Sequence, residues 1–162
     1  MAVEMYRVDE RMLHGQVLTT FAQIMQIDEF IVVNDIVAKD DEQKTLLELA
    51  LPASAQMDVV SCKTFAKIAA ENDYWGTKTF VVFRYIDDAL ECVKLGVKLD
   101  KLIVGGMYSR PDRPSEVKEE VALFVDDNDR KIFRELENAG VNLIYRVSAY
   151  QGEAPLNKVV KY

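Results

Sequence analysis

The chain has little of what would mark a membrane, exported or metal-holding protein. Its 162 residues include one histidine, one tryptophan, two cysteines and four prolines. The longest apolar runs, such as Phe80-Val81-Val82-Phe83 and Leu102-Ile103-Val104, fall far short of the ~20 residues that span a bilayer. The start, Met1-Ala2-Val3-Glu4, has neither the basic region nor the apolar core of an export signal, so a cytoplasmic location is expected. Cys62 and Cys92 have no Cys-x-x-Cys spacing and no histidine beside them, which argues against a metal site and for reduced core thiols. Basic residues are in deficit, 20 against 27 acidic, for a net charge of −7. That balance argues against a general nucleic-acid binder, whose affinity rests on neutralising phosphates. What is present is the mixture of an ordinary globule, 49% hydrophobic and 29% charged, at a length that suits one domain.

No linker or internal repeat divides residues 1–162, and strand-like runs alternate with helix-like ones. Val3 to Val8 reads as a strand. Beyond a polar corner, Val17, Leu18, Phe21, Ile24 and Met25 recur at helical spacing and are expected on one inward face. Phe30 to Val33 is a second strand. Asp40 or Asp41 caps a helix that Pro52 ends. Val59-Val60, Thr79 to Phe83 and Leu102 to Val104 are strands three to five, with helices from Thr64 to Asn72 and through Ala89, Leu90 and Val93 to a cap at Gly96. The rhythm then changes at Met107 to Pro114. The next apolar run, Val121 to Val125, arrives without an intervening helix, so this sixth strand is expected antiparallel to the fifth. A helix from Asp127 to Ala139 and a strand from Val141 to Val147 complete the count.

Short, continuously apolar strands alternating with helices predict an α/β fold. The expectation is a single doubly wound domain whose seven-stranded, mostly parallel sheet, with one antiparallel strand, carries helices on both faces. Ligands meet such sheets at the carboxyl ends of the strands, which singles out residues 9–15, 34–40, 84–88 and 105–114.

The first of these corners holds the only histidine, His14. A helix N-terminus there suits an anion. Arg7 and Arg11 can add forked cationic donors, and Gly15 permits close approach. A free imidazole is largely neutral near pH 7 and keeps one lone pair. With its other nitrogen donating to Asp9 or to a backbone carbonyl, it becomes an oriented nucleophile. No Gly-x-Ser-x-Gly elbow exists, and the chemistry that fits one imidazole among arginines is phosphoryl transfer without a metal. A histidine with only a packing role, and arginines in surface ion pairs with Asp9 or Glu10, are the plainer alternatives. Arg84, Tyr85, Gly105-Gly106, Arg110 and Arg113 are weaker candidates on the same edge. Asn34 and Asp35 can brace a neighbouring loop, and Phe21, Met25, Phe65 and Phe133 read as core.

The stretch Arg7-Val8-Asp9-Glu10-Arg11-Met12-Leu13-His14-Gly15-Gln16-Val17 resembles the signature Arg-Ile/Val-Asp-Asp-Arg-Leu-Ile-His-Gly-Gln-Val of the enzyme IIB component of the mannose/fructose/sorbose family of the bacterial phosphotransferase system (PTS). Eight of eleven positions agree; Glu10, Met12 and Leu13 depart conservatively. The likeness continues through Val33-Asn34-Asp35, Val37-Ala38 and Gly105-Gly106-Met107, while Phe21 stands where the family often has Trp. The resemblance implies a phosphotransferase that takes a phosphoryl group from a phosphohistidine of a IIA protein or domain. It would pass that group to a sugar in the membrane IIC/IID permease, with which the chain would associate peripherally. It further implies His14 as carrier through Nδ1, Arg11 as stabiliser of the phosphoryl group, and Arg7, Asp9, Gly15 and Gln16 as phosphate-binding or loop-ordering residues, with no cofactor. Mannose, fructose, sorbose, glucose and amino sugars such as N-acetylgalactosamine all fit, and a homo-oligomer is compatible. The rival readings are a nucleotide- or flavin-binding module, which would lack a Gly-x-Gly-x-x-Gly or Walker loop, and a non-catalytic regulatory protein on the same fold.

Overall fold

The computed structural model describes residues 3–15, 17–111 and 117–162. In chain order these form β1 (Val3–Asp9), a π-helical segment (Val17–Ala22) running into α1 (Gln23–Met25), β2 (Glu29–Val33), α2 (Asp41–Leu49), β3 (Gln56–Val60), α3 (Cys62–Glu71), β4 (Thr79–Phe83), α4 (Ile86–Lys94), β5 (Lys101–Gly106), β6 (Val117–Glu120), β7 (Leu123–Val125), α5 (Asp127–Asn138), β8 (Asn142–Tyr145) and β9 (Ala154–Pro155). Local chemistry sets the helix starts. The Asp40 carboxylate accepts the Gln43 N–H at 3.1 Å, and the Ser61 hydroxyl accepts the Thr64 N–H at 3.1 Å; each satisfies a donor that the first turn leaves open.

The sheet has seven strands in the order β3-β2-β4-β1-β5-β8-β9. Its pairings are parallel except β8 with β9. Side chains alternate across it with period two. Phe30, Val32, Phe80 and Val82 meet Val17, Leu18, Phe21 and Leu47 on one face. Ile31, Val33, Val81 and Phe83 meet Phe65, Ala89, Leu90 and Phe133 on the other. Every residue of β2 and β4 is buried, which is why, after Glu29 and Thr79 at their starts, these runs are continuously apolar rather than alternating. Cys62 and Cys92 are buried free thiols within this core.

Two expectations need correction. Leu123–Val125 does not join the sheet antiparallel to β5. It pairs with β6 in a separate hairpin, and its one bridge to the strand-five side, Met107 to Leu123, is parallel. The antiparallel member is the two-residue β9, too short to show a strand period. Ile24, expected inward, is 62% exposed. The π-winding of Val17–Ala22, with i→i+5 hydrogen bonds, is wider than an α-helix and shifts the side-chain phase, so the inward stripe turns away after Ala22.

β1 leaves the sheet toward β2 on one side, and β4 leaves toward β5 on the other. Ligands of doubly wound sheets bind outside the carboxyl ends of strands whose connections run in opposite directions. β1 and β4 end there, at Asp9 and Phe83.

Candidate active site

Arg7, two residues before the end of β1, is wholly buried. An isolated buried guanidinium would be costly, and three acceptors compensate it. It donates to the carbonyls of Arg146 and Val147 at 2.8 Å each and approaches Asp9 Oδ2 at 3.4 Å. Gly105 supplies the room, since a Cβ there would overlap the Arg7 guanidinium and the Arg146 carbonyl. Arg7 thus braces the site from behind Asp9 and does not face an incoming anion.

Asp9 is the hub. Its carboxylate is fully buried and accepts the Arg11 N–H on Oδ1 at 3.1 Å. Its Oδ2 lies 2.9 Å from His14 Nε2. Burial works to raise the Asp9 carboxyl, but the His14 hydrogen bond, the Arg7 charge and the Arg11 N–H together hold it below the ordinary carboxylate value. Gly106 completes the nest, because a Cβ there would strike the Asp9 carboxylate. Asp9 also closes the turn, its carbonyl accepting the Met12 N–H at 2.8 Å. Met12 takes a left-handed φ of 60°, a conformation costing roughly 1–2 kcal/mol for a residue with a Cβ. Burial of Met12 and Leu13 against the Phe21 side of the core offsets that cost.

The turn delivers His14 to the start of the helix, where its carbonyl accepts the Leu18 N–H at 2.9 Å. A carboxylate accepts only, so Nε2 is the donor in this pair, and in the neutral tautomer Nδ1 carries the lone pair. The imidazole is 18% exposed, sheltered without being walled off. The space beside Gly15 is open, with nothing in reach of an added Cβ.

Around this pair stand further cations. Arg11 is 43% exposed, with Nε 3.5 Å from Asp9 Oδ1 and Cζ 5.0 Å from the Tyr108 ring centroid. The Val8–Phe83 register brings the residues after β4 alongside. There Arg84 and Arg110 lie 5.0 and 4.0 Å from the Tyr85 ring, and Arg110 pairs with Glu10 at 3.7 Å. Asn34 donates to Asp88 Oδ2 at 3.0 Å while its own oxygen accepts the Ile36 and Val37 N–H groups. Asp35 accepts the Cys62 N–H at 2.8 Å. Burial, with repulsion from Asp87 and Asp35, pushes the Asp88 carboxyl up to about 6 against the bonds from Asn34 and Tyr85. Gln16 and Arg113 lie outside the described residues.

The structure thus brings Asp9, Arg11 and His14 together, with Arg7 beneath them. Sequence reasoning missed Tyr108, the reach of Glu10 to it, and the Arg146 carbonyl; the Gly105-Gly106 pair, a sign of close approach, was the available signal. A groove of about 500 Å³ lies elsewhere, between the amino-terminal halves of β1 and β5 and the Phe21–Met25 helix. Among the described residues no three His, Cys, Asp or Glu side chains converge as a metal site, and no helix is long and apolar enough to cross a membrane.

Residues 3–162 match the family model of the PTS system sorbose subfamily IIB component. The chain is 34% identical over 149 residues to the sorbose-specific EIIB component of Klebsiella pneumoniae, covering 92% of this chain and 89% of that one. It is 31% identical over 146 residues to the fructose-specific EIIB component of Bacillus subtilis, covering 90% and 88%. The crystal structure of the IIBSor domain of the sorbose permease from Klebsiella pneumoniae superposes with a TM-score of 0.87 at 30% identity over the whole of both chains. On this agreement the chain belongs to the PTS sorbose-subfamily IIB components, the mannose/fructose/sorbose IIB family.

Proposed function

We propose that residues 1–162 act as one IIB domain that accepts a phosphoryl group on His14 Nδ1 from a phosphorylated IIA partner and passes it to a sugar in a IIC/IID permease. The observation that carries this reading is the 2.9 Å bond from His14 Nε2 to buried Asp9, which leaves Nδ1 as the nucleophilic nitrogen. Nδ1 needs no base, because it bears no proton. As its bond to phosphorus forms, the donor's N–P bond breaks in line, and Asp9 offsets the positive charge that develops on the ring. Charge in a loose transition state spreads over three equatorial oxygens. Arg11 meets it beside the open space at Gly15, so positioning and fixed charge supply the catalysis. In the second step a sugar hydroxyl attacks phosphorus, the His14 N–P bond breaks, and the hydroxyl proton passes to a base supplied with the sugar. Curated relatives carry sorbose, fructose, mannose and N-acetylgalactosamine in their names, so the acceptor proposed is a hexose or hexosamine. The chain works in the cytoplasm, held at the membrane by its permease.

Incubating His14→Ala with phosphorylated IIA tests the reading. The variant is expected to keep its circular dichroism spectrum and take up no acid-labile phosphate. Labelling of the variant at the wild-type level would overturn the assignment.

A further inference from the structure

The transfer chemistry needs the Arg11 guanidinium held in place, yet that group is 43% exposed and its Nε stands 3.5 Å from Asp9 Oδ1, long for a hydrogen bond. Its second support comes from a distant part of the chain. The Tyr108 ring centroid lies 5.0 Å from Arg11 Cζ. A cation–π contact steadies a guanidinium through its charge and does not require the N–H donors that an anion would use.

The ring is itself anchored. The Tyr108 N–H donates to Glu10 Oε1 at 2.7 Å, and the Glu10 N–H donates to the Gly106 carbonyl at 2.8 Å. The neighbouring Met107 bonds through its N–H to Ala122 and through its carbonyl to Phe124, both at 2.9 Å. Glu10 therefore latches the end of β1 to the segment after β5, and the extra methylene of glutamate over aspartate supplies the reach. Other charges near this contact are Asp9, Arg7 and Glu10, which also bear on the Tyr108 hydroxyl.

We infer that Tyr108 is a positioning residue for phosphoryl transfer: its ring steadies the Arg11 guanidinium by a cation–π contact, while Glu10 fixes the Tyr108 backbone beside the histidine corner. The inference rests on the proposed roles of His14 and Arg11.

The test is the rate of phosphoryl uptake from phosphorylated IIA by Tyr108→Ala, Tyr108→Leu, Tyr108→Phe, Arg11→Ala and the Tyr108→Ala/Arg11→Ala double variant. Tyr108→Ala and Tyr108→Leu are expected to lower kcat about 3- to 30-fold, the range of a cation–π contact, with the donor KM within about twofold. Tyr108→Phe keeps the ring and should stay within about twofold of wild type. In the Arg11→Ala background, Tyr108→Ala should cost less than about twofold more, because the two act as one unit. A Tyr108→Ala variant at full rate, or one losing the same factor with and without Arg11, would overturn the inference. Slow Arg11→Ala beside normal Tyr108→Ala sinks this inference alone; Arg11→Ala at full rate sinks the proposed role of Arg11 as well.

Discussion

Asp9 at the carboxyl edge of the sheet and the Asp28–Glu29 pair at its amino edge are both carboxylate nests that order a loop, and both have a glycine against them. Glu29 accepts the Trp75 and Gly76 N–H groups at 3.1 Å each and the Thr79 hydroxyl at 2.5 Å. Asp28 takes the Thr77 N–H and hydroxyl and the Lys78 N–H. All these donors are neutral groups of the loop before β4 or of its first residue, Thr79, so the amino-edge nest is a staple. Asp9 instead faces a buried cation and holds an imidazole that is 18% exposed. Under the proposed function the partner, rather than the carboxylate, makes one nest structural and the other reactive.

Substituting each carboxylate by its amide separates the two most strongly. Asp9→Asn leaves buried Arg7 without its counter-charge and should cost on the order of 3–5 kcal/mol in a denaturant titration. It also weakens control of the His14 tautomer, and phosphoryl uptake should fall about 100-fold or more. Glu29→Gln should cost only about 1–3 kcal/mol and leave uptake unchanged. Loss of uptake in Glu29→Gln would erase the distinction. The glycines give a smaller version of the same contrast. Gly106→Ala and Gly76→Ala each place a Cβ against a carboxylate and should each destabilise by about 1–3 kcal/mol. Only Gly106→Ala should also slow uptake. Gly15→Ala, with open space around it, should stay within about 0.5 kcal/mol of wild type.

The carboxyl edge also contains an internal contrast in pH. The Asp9 carboxyl sits below its ordinary value, so its stabilisation holds at neutral pH and is lost as pH falls through the folded-state value. Asp88 has the opposite sign. Its folded value of about 6 exceeds the ordinary 3.8, so its contribution is full below 3.8 and disappears as pH rises through about 6. Asp88→Asn should therefore gain on wild type between pH 4 and 8, by on the order of 2 kcal/mol in thermal or urea unfolding. A constant difference across that range would contradict the raised value. The smallest effect concerns encounter. A chain of net charge −7 presenting Arg11, Arg84 and Arg110 at one edge should lose association rate with phosphorylated IIA as salt is raised, while indifference to salt would remove the patch from docking.

Much of this layout was legible in the residues, because β2, β4 and β5 are continuous apolar runs and helix starts carry Asp or Ser caps. The histidine corner was legible because its parts are contiguous between Arg7 and Val17. What stayed hidden depends on contacts across the chain or on irregular backbone. Arg7 meets the Arg146 carbonyl 139 positions away, and Glu10 meets Tyr108 across 98, so no local pattern separates a buried brace from a surface cation. The π-winding that exposes Ile24 and the two residues of β9 leave no period to read. The Asp28–Glu29 staple escaped because its partners are mostly backbone N–H groups, to which side-chain identity is blind.

The most direct test of the central claim is long-range ¹H–¹⁵N spectroscopy of the protein phosphorylated by IIA, which reports which imidazole nitrogen bears phosphorus. His14 should carry phosphorus at Nδ1, with Nε2 still protonated and bonded to Asp9. Phosphorus on Nε2, or on a residue other than His14, would contradict it.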